Sequence, residues 1–372
     1  MMGLFTAIFL FSIIVAVVCR FVFPQRFNNF ETMLIGVGSV ILGLILMLII
    51  SWTSTTDFDI LNGQITGKKM HRVSCEHSYQ CMCVTVSTGK NSSTTICQTC
   101  YEHPFDQDWD VYSSVGNFAI EREDSQGLVE PKRWDQVKIG EPASKKEYVT
   151  NYILASPDSL FHTKSFQDDN VKYGKWLPSY NTVYDYYRYH HVYNMVPSLK
   201  ESKQYNDAIG NILKSLGAKK QVNIDMVFVP TDDRNYKNAL ARHWLGGKKN
   251  DVVVVIGITQ YPKIAFADAF TFANSTHNEM LVVKLQQDIE AVGDVSKVND
   301  VVNVINDDTT KYFHRDNMSN YKYLKDDFVP SGKALFWSGL FYFLILIGAL
   351  IFFWINDVEI DGVSTNRFKN YY

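Results

Sequence analysis

The chain has 372 residues, a net charge of −3, and aromatic side chains at 14% of its positions. This small charge and the lack of a long basic run exclude the electrostatic footprint of a nucleic-acid-binding protein, so no nucleic-acid partner is expected. Very apolar spans alternate with a long polar section, which predicts an integral membrane protein.

The apolar spans lie in residues 1–23, 33–52 and 334–355. The third span holds no charge and carries a tryptophan near each end, so it can cross a hydrocarbon layer of about 30 Å with aromatic rings at both interfaces. The first span is shorter, and a signal peptide is the alternative to a membrane helix there. We expect three transmembrane helices in contact with membrane lipid, and hence a multi-pass membrane location.

The basic residues beside these spans predict an orientation. Arg20 and Arg26 flank the short loop after the first span, and Arg367 and Lys369 lie in the polar tail, residues 356–372. Basic residues in short loops favour the cytoplasmic side, whereas long insertions are translocated largely regardless of charge. We therefore expect the large domain between the second and third spans to be extracytoplasmic.

The polar insertion divides into two predicted domains. Residues 53–196 are predicted to be rich in β-strands, at 80–87, 94–97 and 116–122. Residues 197–315 follow the order helix, strand, helix, two strands and two helices, which predicts a sheet packed against helices. The predicted fold class is an α+β membrane protein: three transmembrane helices, a small β-rich cysteine-containing unit, and an α/β helix-covered sheet.

Local patterns predict several helix and strand boundaries in the second domain. Ser198 and Glu201 have the spacing of a capping box before a helix. Thr231 or Asp232 is predicted to cap a second helix, residues 233–244. The β-branched run at 252–258 is typical of a strand buried on both faces.

Four cysteines form the sharpest local pattern: Cys81, Cys83, Cys97 and Cys100. The segment between the two cysteine pairs reads as a β-hairpin turning near Lys90, which places Cys83 opposite Cys97 and brings all four sulfurs together. A tetrahedral zinc site of the ribbon type is one interpretation, and His71, His77 and His103 are possible substitute ligands. The other interpretation is two disulfides, Cys83–Cys97 and Cys81–Cys100, which leaves Cys75 over.

Acidic residues of the second domain are weaker candidates for a cation site. Asp232, Asp233 and Asp251 lie near strand ends, where oxygen ligands can converge on calcium or magnesium. Each also has a local structural role, as a helix cap, a first-turn acid or a strand start. Asp268 alternates with two phenylalanines and is expected to face solvent.

One stretch resembles a known family. Residues 222–270 read VNIDMVFVPTDDRNYKNALARHWLGGKKNDVVVVIGITQYPKIAFADAF and resemble the TPM-domain family in a helix with a Trp–Gly stop, a Lys-rich turn and an apolar strand. The matching positions are Trp244, Gly246, Lys248, Lys249, Asn250 and residues 252–256. The resemblance covers roughly residues 198–315, and it implies a helix-covered sheet. Activities in that family include phosphatase activity, metal binding and auxiliary roles in membrane complexes.

The chain departs from this family at the glycine-rich turn after the last strand, where residues 271–276 stand instead. The sequence also lacks a phosphate loop, a nucleophile elbow and a paired-histidine metalloprotease motif, which disfavours a standard enzyme.

Two functions follow from these patterns. The favoured one is a membrane-anchored binding or auxiliary module that contacts another membrane or envelope protein. The alternative is a metal-assisted, phosphatase-like hydrolase, which needs Asp232, Asp251 and a further oxygen ligand within a few ångströms in one cleft. A binding module would instead show dispersed acids and an exposed apolar patch.

Overall fold

A computed structural model describes residues 2–89, 92–155, 171–244, 248–273, 275–325, 330 and 332–356. The regular elements follow in chain order: α1 (Met2–Val22), α2 (Asn29–Thr55), β1 (Thr56–Val73), β2 (Ser78–Gly89), β3 (Ser92–Tyr101), β4 (Asp106–Ser113), β5 (Phe118–Ile120), α3 (Lys132–Gln136), β6 (Pro142–Thr150), α4 (Tyr152–Ala155), β7 (Val192–Asn194), α5 (Ser202–Lys220), β8 (Asn223–Val229), α6 (Tyr236–His243), β9 (Asp251–Gly257), β10 (Phe266–Thr271), α7 (Ser275–Val292), α8 (Val298–Tyr312) and α9 (Gly332–Ile355). Short 3₁₀ helices cover Gly174–Trp176 and Met318–Lys325.

The chain divides into two compact units. The helical unit takes its described residues from 1–57, 148–164 and 317–372, and the sheet unit takes its residues from 58–147 and 165–316. The predicted domain boundary near residue 197 therefore falls inside the sheet unit. The predicted polar tail lies outside the described residues, apart from Asn356.

In the helical unit, α2 and α9 are long and apolar enough to cross a membrane. Most of their large apolar side chains are exposed, which is the arrangement of a helix that faces lipid rather than a protein core. The part of α1 whose side chains are described, Leu10–Val22, is apolar but shorter than a span. Two membrane-spanning candidates are thus present, and the third membrane helix stays a prediction.

A buried phenol joins the three long helices of this unit. The hydroxyl of Tyr342 in α9 lies 2.7 Å from the hydroxyl of Ser12 in α1 and donates to the carbonyl of Ser39 in α2. Ala16, Ile35 and Leu346 pack nearby in a small buried cluster. Polar contacts of this kind fix how apolar helices pack, because hydrophobicity alone does not distinguish one lipid-facing helix from another.

The sheet unit contains two four-stranded sheets and a separate hairpin. The first sheet has the strand order β5–β4–β1–β6, and β1 runs antiparallel to β4 with Val73 opposite Asp106. Its core is formed by Ile65, Trp109, Val111 and Ile120. The β-rich character predicted for this part of the chain is confirmed, although β1 and β4 were not among the predicted strands.

The second sheet has the order β10–β9–β8–β7, in which β7, β8 and β9 are parallel and β10 is antiparallel. Helices α5, α7 and α8 cover one face, whereas α6 and its neighbouring aromatic residues cover the other. Strands β8 and β9 are consequently buried along their whole length. The predicted order of helices and strands is confirmed here, as is the burial of the β-branched run on both faces.

Both predicted helix caps were wrong. Helix α5 begins at Ser202 with Glu201 as its N-cap residue, and the Glu201 carboxylate accepts hydrogen bonds from the Tyr261 hydroxyl and the Lys200 amide rather than from the Ser198 amide. Helix α6 begins at Tyr236, three residues late, because Thr231 and Asp233 close local turns by accepting the amides of Asp233 and Asn235.

The expectation that Asp268 faces solvent was also wrong. Its side chain is buried and pairs with the Lys237 ammonium at 2.8 Å. The partner comes from α6, so the alternation of residues within the strand could not reveal it.

Candidate functional site

The four cysteines of the hairpin lie in two pairs at disulfide distance. Cys83 pairs with Cys97 and Cys81 with Cys100, at Cα–Cα separations of 3.9 and 5.8 Å. A bulge shifts the register between Cys81 and Val84, where Met82 has a φ of 48°. The four sulfurs are used within these pairs, so the geometry supports disulfides and gives no support to a zinc ribbon.

The stapled hairpin carries an exposed, uncharged surface. Strands β2 and β3 contain no Asp, Glu, Lys or Arg. Val84 lies opposite Ile96, and these side chains are 61% and 62% exposed. Val86, two residues further along β2, is exposed on the same face, and Met82 is 78% exposed at the bulge. The hairpin therefore exposes an apolar strip to solvent, formed by Val84, Val86 and Ile96 with Met82 at the bulge.

The edges of this hairpin are also unpaired within the described residues, because β2 and β3 form a sheet of two strands. Proteins usually protect such edges with lysine, proline, bulges or a covering element. Strand β2 has the bulge at Met82, whereas β3 pairs regularly and carries no charge. The backbone of β3 thus offers a row of hydrogen-bonding groups to another strand.

The three predicted cation ligands do not converge. Asp251 opens β9 beside Asn223 at the amino edge of the parallel strands, whereas Asp232 and Asp233 follow the carboxyl end of β8. Six residues of strand separate these edges by roughly 20 Å. Asp233 is held by Lys172 and by the hydroxyl of Tyr173 at 2.5 Å. The structure therefore does not form the cleft that the hydrolase hypothesis requires.

Asp251 instead belongs to a buried acid pair that the sequence did not reveal. The side-chain amide of Asn223 donates to Asp251 at 3.1 Å and to Asp225 at 3.0 Å, so it bridges the two carboxyl groups. Tyr180 donates to Asp251 at 2.8 Å, and Tyr189 donates to both oxygens of Asp225. Both acids are fully buried, so their carboxyl groups contact these hydrogen-bond donors and not solvent.

Burial changes the protonation of these groups. It raises the pKa of Asp251 to about 7, against the hydrogen bonds from Tyr180 and Asn223. Burial and the adjacent Asp251 raise the pKa of Asp225 well above its usual range. The opposite holds for Asp233, because hydrogen bonds from Lys172 and Tyr173 lower its pKa. The buried pair thus favours a bound proton, whereas Asp233 favours the charged form.

A polar cleft of about 470 Å³ lies next to the buried acids. Its lining includes Tyr189, His191 and Arg188. His191 is buried, its Nδ1 lies 3.0 Å from the carbonyl of Ile224, and burial lowers its pKa to about 4, so its ring is neutral. The cleft has no activated nucleophile among these residues, and Tyr189 is occupied by Asp225.

Two other clusters could hold a metal ion within the described residues. Cys75, His103 and Asp106 form one, and His277, His314 and Asp316 form the other; in each, the ligand atoms lie within 4.8 Å of one another. The sequence patterns indicate Cys75 and His103 as possible metal ligands but do not link them to Asp106. His103 and Asp106 are only three residues apart, whereas Cys75 joins them through the pairing of β1 with β4, which no local spacing encodes.

Comparisons with family models, with curated proteins and with solved structures give no match. The resemblance to the TPM domain stays a prediction that rests on the residues which suggested it.

Proposed function

We propose that this chain is a multi-pass membrane protein whose sheet unit binds another membrane or envelope protein through the hairpin of β2 and β3. Helices α2 and α9 are the candidate anchors, in contact with membrane lipid. The TPM-like part, residues 198–315, would act in this proposal as the rigid body that carries the hairpin, and not as a catalytic domain.

The exposed apolar strip of the hairpin carries this proposal. In a chain with 20% charged residues, the two strands have none, and Val84 and Ile96 face each other in water. Exposed apolar area costs free energy that contact with a partner recovers, at about 25 cal/mol per Å². The regular edge of β3 adds backbone groups through which a partner strand can extend the sheet.

The disulfides support an extracytoplasmic location for the sheet unit. Disulfides persist in oxidising compartments and are rare in the cytosol. Two of them close a hairpin that has little core of its own, so the element would be poorly stable where thiols are kept reduced. An envelope or membrane-surface partner fits this compartment.

The hydrolase alternative has less support. It needs Asp251 and Asp232 in one cleft with calcium, magnesium or another divalent ion. These acids occupy opposite edges of the second sheet, and Asp251 already accepts three hydrogen bonds, from Tyr180, Asn223 and the Lys248 amide. We favour the binding function on this ground.

A photocrosslinking experiment in intact cells tests the proposal. A photoreactive amino acid placed at Ile96 is expected to give one discrete protein adduct in the membrane fraction. Val84→Asp should lower the yield of this adduct about tenfold or more, as expected when a central interface residue worth at least about 1.4 kcal/mol is replaced by a charge.

The matched control is the same substitution at Val171, a valine of the sheet unit that is 89% exposed and lies outside the hairpin. Val171→Asp should leave the adduct yield unchanged. An adduct that persists in Val84→Asp, or crosslinking to lipid alone, would contradict binding of a protein partner by this strip.

A further inference from the structure

A cysteine, a histidine and an aspartate meet at one end of the first sheet. Cys75 follows β1, His103 lies between β3 and β4, and Asp106 opens β4 opposite Val73. The Sγ atom of Cys75 lies 3.7 Å from Nδ1 of His103, and that nitrogen lies 3.5 Å from Oδ1 of Asp106. Three chemically different ligand atoms therefore converge on one point.

These separations match those of ligands around a small tetrahedral ion. Zinc binds sulfur at about 2.3 Å and nitrogen or oxygen at about 2.0–2.2 Å, so neighbouring ligand atoms in a tetrahedron stand roughly 3.3–3.8 Å apart. We propose that Cys75, His103 and Asp106 bind a zinc ion, with water in the fourth position. This site is separate from the four hairpin cysteines, and it does not rest on the proposed binding function.

The hydrogen bonds and burial of the Asp106 carboxylate favour the binding of such an ion. Its Oδ2 accepts a hydrogen bond from the Glu76 amide at 2.9 Å and another from the Arg122 guanidinium at 3.1 Å. Its Oδ1 points toward His103, is buried, and has no hydrogen-bond partner among the described residues. A buried carboxylate oxygen without a donor is costly, and a bound cation removes that cost. The contacts to Oδ2 fix the orientation of the group, as outer-sphere partners of metal ligands do.

The surrounding charges also suit a cation. Glu76 and Asp108 lie with Asp106 around the single guanidinium of Arg122. A Cys75 thiolate would add a further negative charge. The negative charges of this cluster therefore outnumber the single positive charge of Arg122.

The geometry is not that of a nucleophilic Cys–His–Asp relay. A relay uses one ring nitrogen to take the proton from the thiol and the other to bind the carboxylate. Here the same nitrogen, Nδ1 of His103, is the atom closest to both Cys75 and Asp106. Cys75 is also only 7% exposed, which leaves little room for a substrate at its sulfur. Because Cys75 and Asp106 both approach Nδ1 of His103, the arrangement favours metal binding over a relay.

Cobalt binding to the full-length, detergent-solubilised protein tests this site. Cobalt(II) occupies zinc sites, and a thiolate ligand gives it a near-ultraviolet charge-transfer absorption. With Cys75 shown to be reduced by thiol titration, we expect one equivalent of cobalt to produce this absorption and one equivalent of zinc to remove it. Zinc should also slow alkylation of Cys75 about tenfold or more, because the thiolate is then a ligand.

Cys75→Ser and His103→Gln should each abolish the absorption, and His103→Gln keeps the test valid if the serine variant does not fold. Cys19→Ser is the matched control, since Cys19 is the other free cysteine among the described residues. The cluster of His277, His314 and Asp316 has no sulfur, so cobalt bound there gives no thiolate absorption. Absence of the absorption with reduced Cys75, or its persistence in Cys75→Ser, would overturn the proposal.

Discussion

At the scale of single residues, the second sheet and the loop after β8 contain aspartates whose pKa values shift in opposite directions. Asp225 and Asp251 lie inside the protein and share the amide of Asn223, and burial raises the pKa of each. Asp233 lies at the far edge of the sheet, where Lys172 lowers its pKa. Folding therefore binds protons at the first pair and releases them at Asp233.

This contrast predicts how stability depends on pH. An unfolded aspartate has a pKa of about 3.9, whereas Asp251 in the folded protein has one of about 7, so the folded state holds more protons between these values and loses stability as the pH rises through them. Asp225→Asn removes one of the two buried acids. The melting temperature of the variant should fall less between pH 4 and 8, and at pH 8 it should exceed that of the wild type by at least about 2 °C.

Asp233→Asn is the control, because a lowered pKa gives stability that is lost only as the pH falls below about 4. Its melting curves should therefore show the wild-type slope between pH 4 and 8. The interpretation fails if Asp225→Asn retains that slope, since the buried acids would then not control it.

The sequence predicts some of these positions and not others, for a physical reason. The position of Asp251 at the start of a strand is predictable because an apolar run follows it directly, and that signal is local. Asp225 sits inside the strand VNIDMVFV, two residues after Asn223, but nothing in the strand indicates that Tyr189 also donates to it. Partners that come from other elements cannot be predicted from local spacing, and Asp268 with Lys237 is a second example.

At the scale of elements, the hairpin depends on its disulfides more than on packing. A hairpin of two strands is marginal in water, and β2 and β3 are largely exposed. The cross-links span 14 and 19 residues, and a loop of about 15 residues corresponds to about 3 kcal/mol.

Replacing all four hairpin cysteines by serine should therefore open this element alone. We expect amide hydrogen exchange in residues 78–101 to become about 100-fold faster, the equivalent of about 3 kcal/mol, while β8 and β9 keep their protection because their core contains none of these cysteines. Cys19→Ser provides the comparison. Unchanged exchange in the hairpin would show that packing, and not the cross-links, holds it.

Elements were predictable where periodicity was strong. The symmetric spacing of Cys83 and Cys97 about Lys90 gave the pairing found in the hairpin, and the apolar runs gave β8 and β9. Strand β1 was not predicted because its buried polar residues, among them Asp59 and Asn62, interrupt the apolar pattern. Asn62 is accommodated by Asn223 and Ser144, which are distant in sequence.

At the scale of the whole molecule, the sheet unit is an insertion in a helical one. The chain supplies the helical unit from three separate stretches, and α2 and α9 come from the first and the last. Each of these helices contains a stretch long and apolar enough to cross a membrane, so we expect each to hold the chain there without the other. The two anchors are therefore expected to be redundant.

This redundancy gives a test by alkaline extraction of membranes. To remove any contribution of α1, the test uses chains that begin at residue 24. Residues 24–372, and residues 24–330, which lack α9, should both stay in the pellet, as expected if α2 crosses the bilayer in each. Two arginines in the middle of α2, at Leu44 and Ile45, add about 5–7 kcal/mol to its insertion. That double substitution should release residues 24–330 into the supernatant but leave residues 24–372 in the pellet, held by α9. Release of the unsubstituted residues 24–372 would contradict membrane anchoring by α2 and α9, and release of their doubly substituted form would show that α9 is not an anchor.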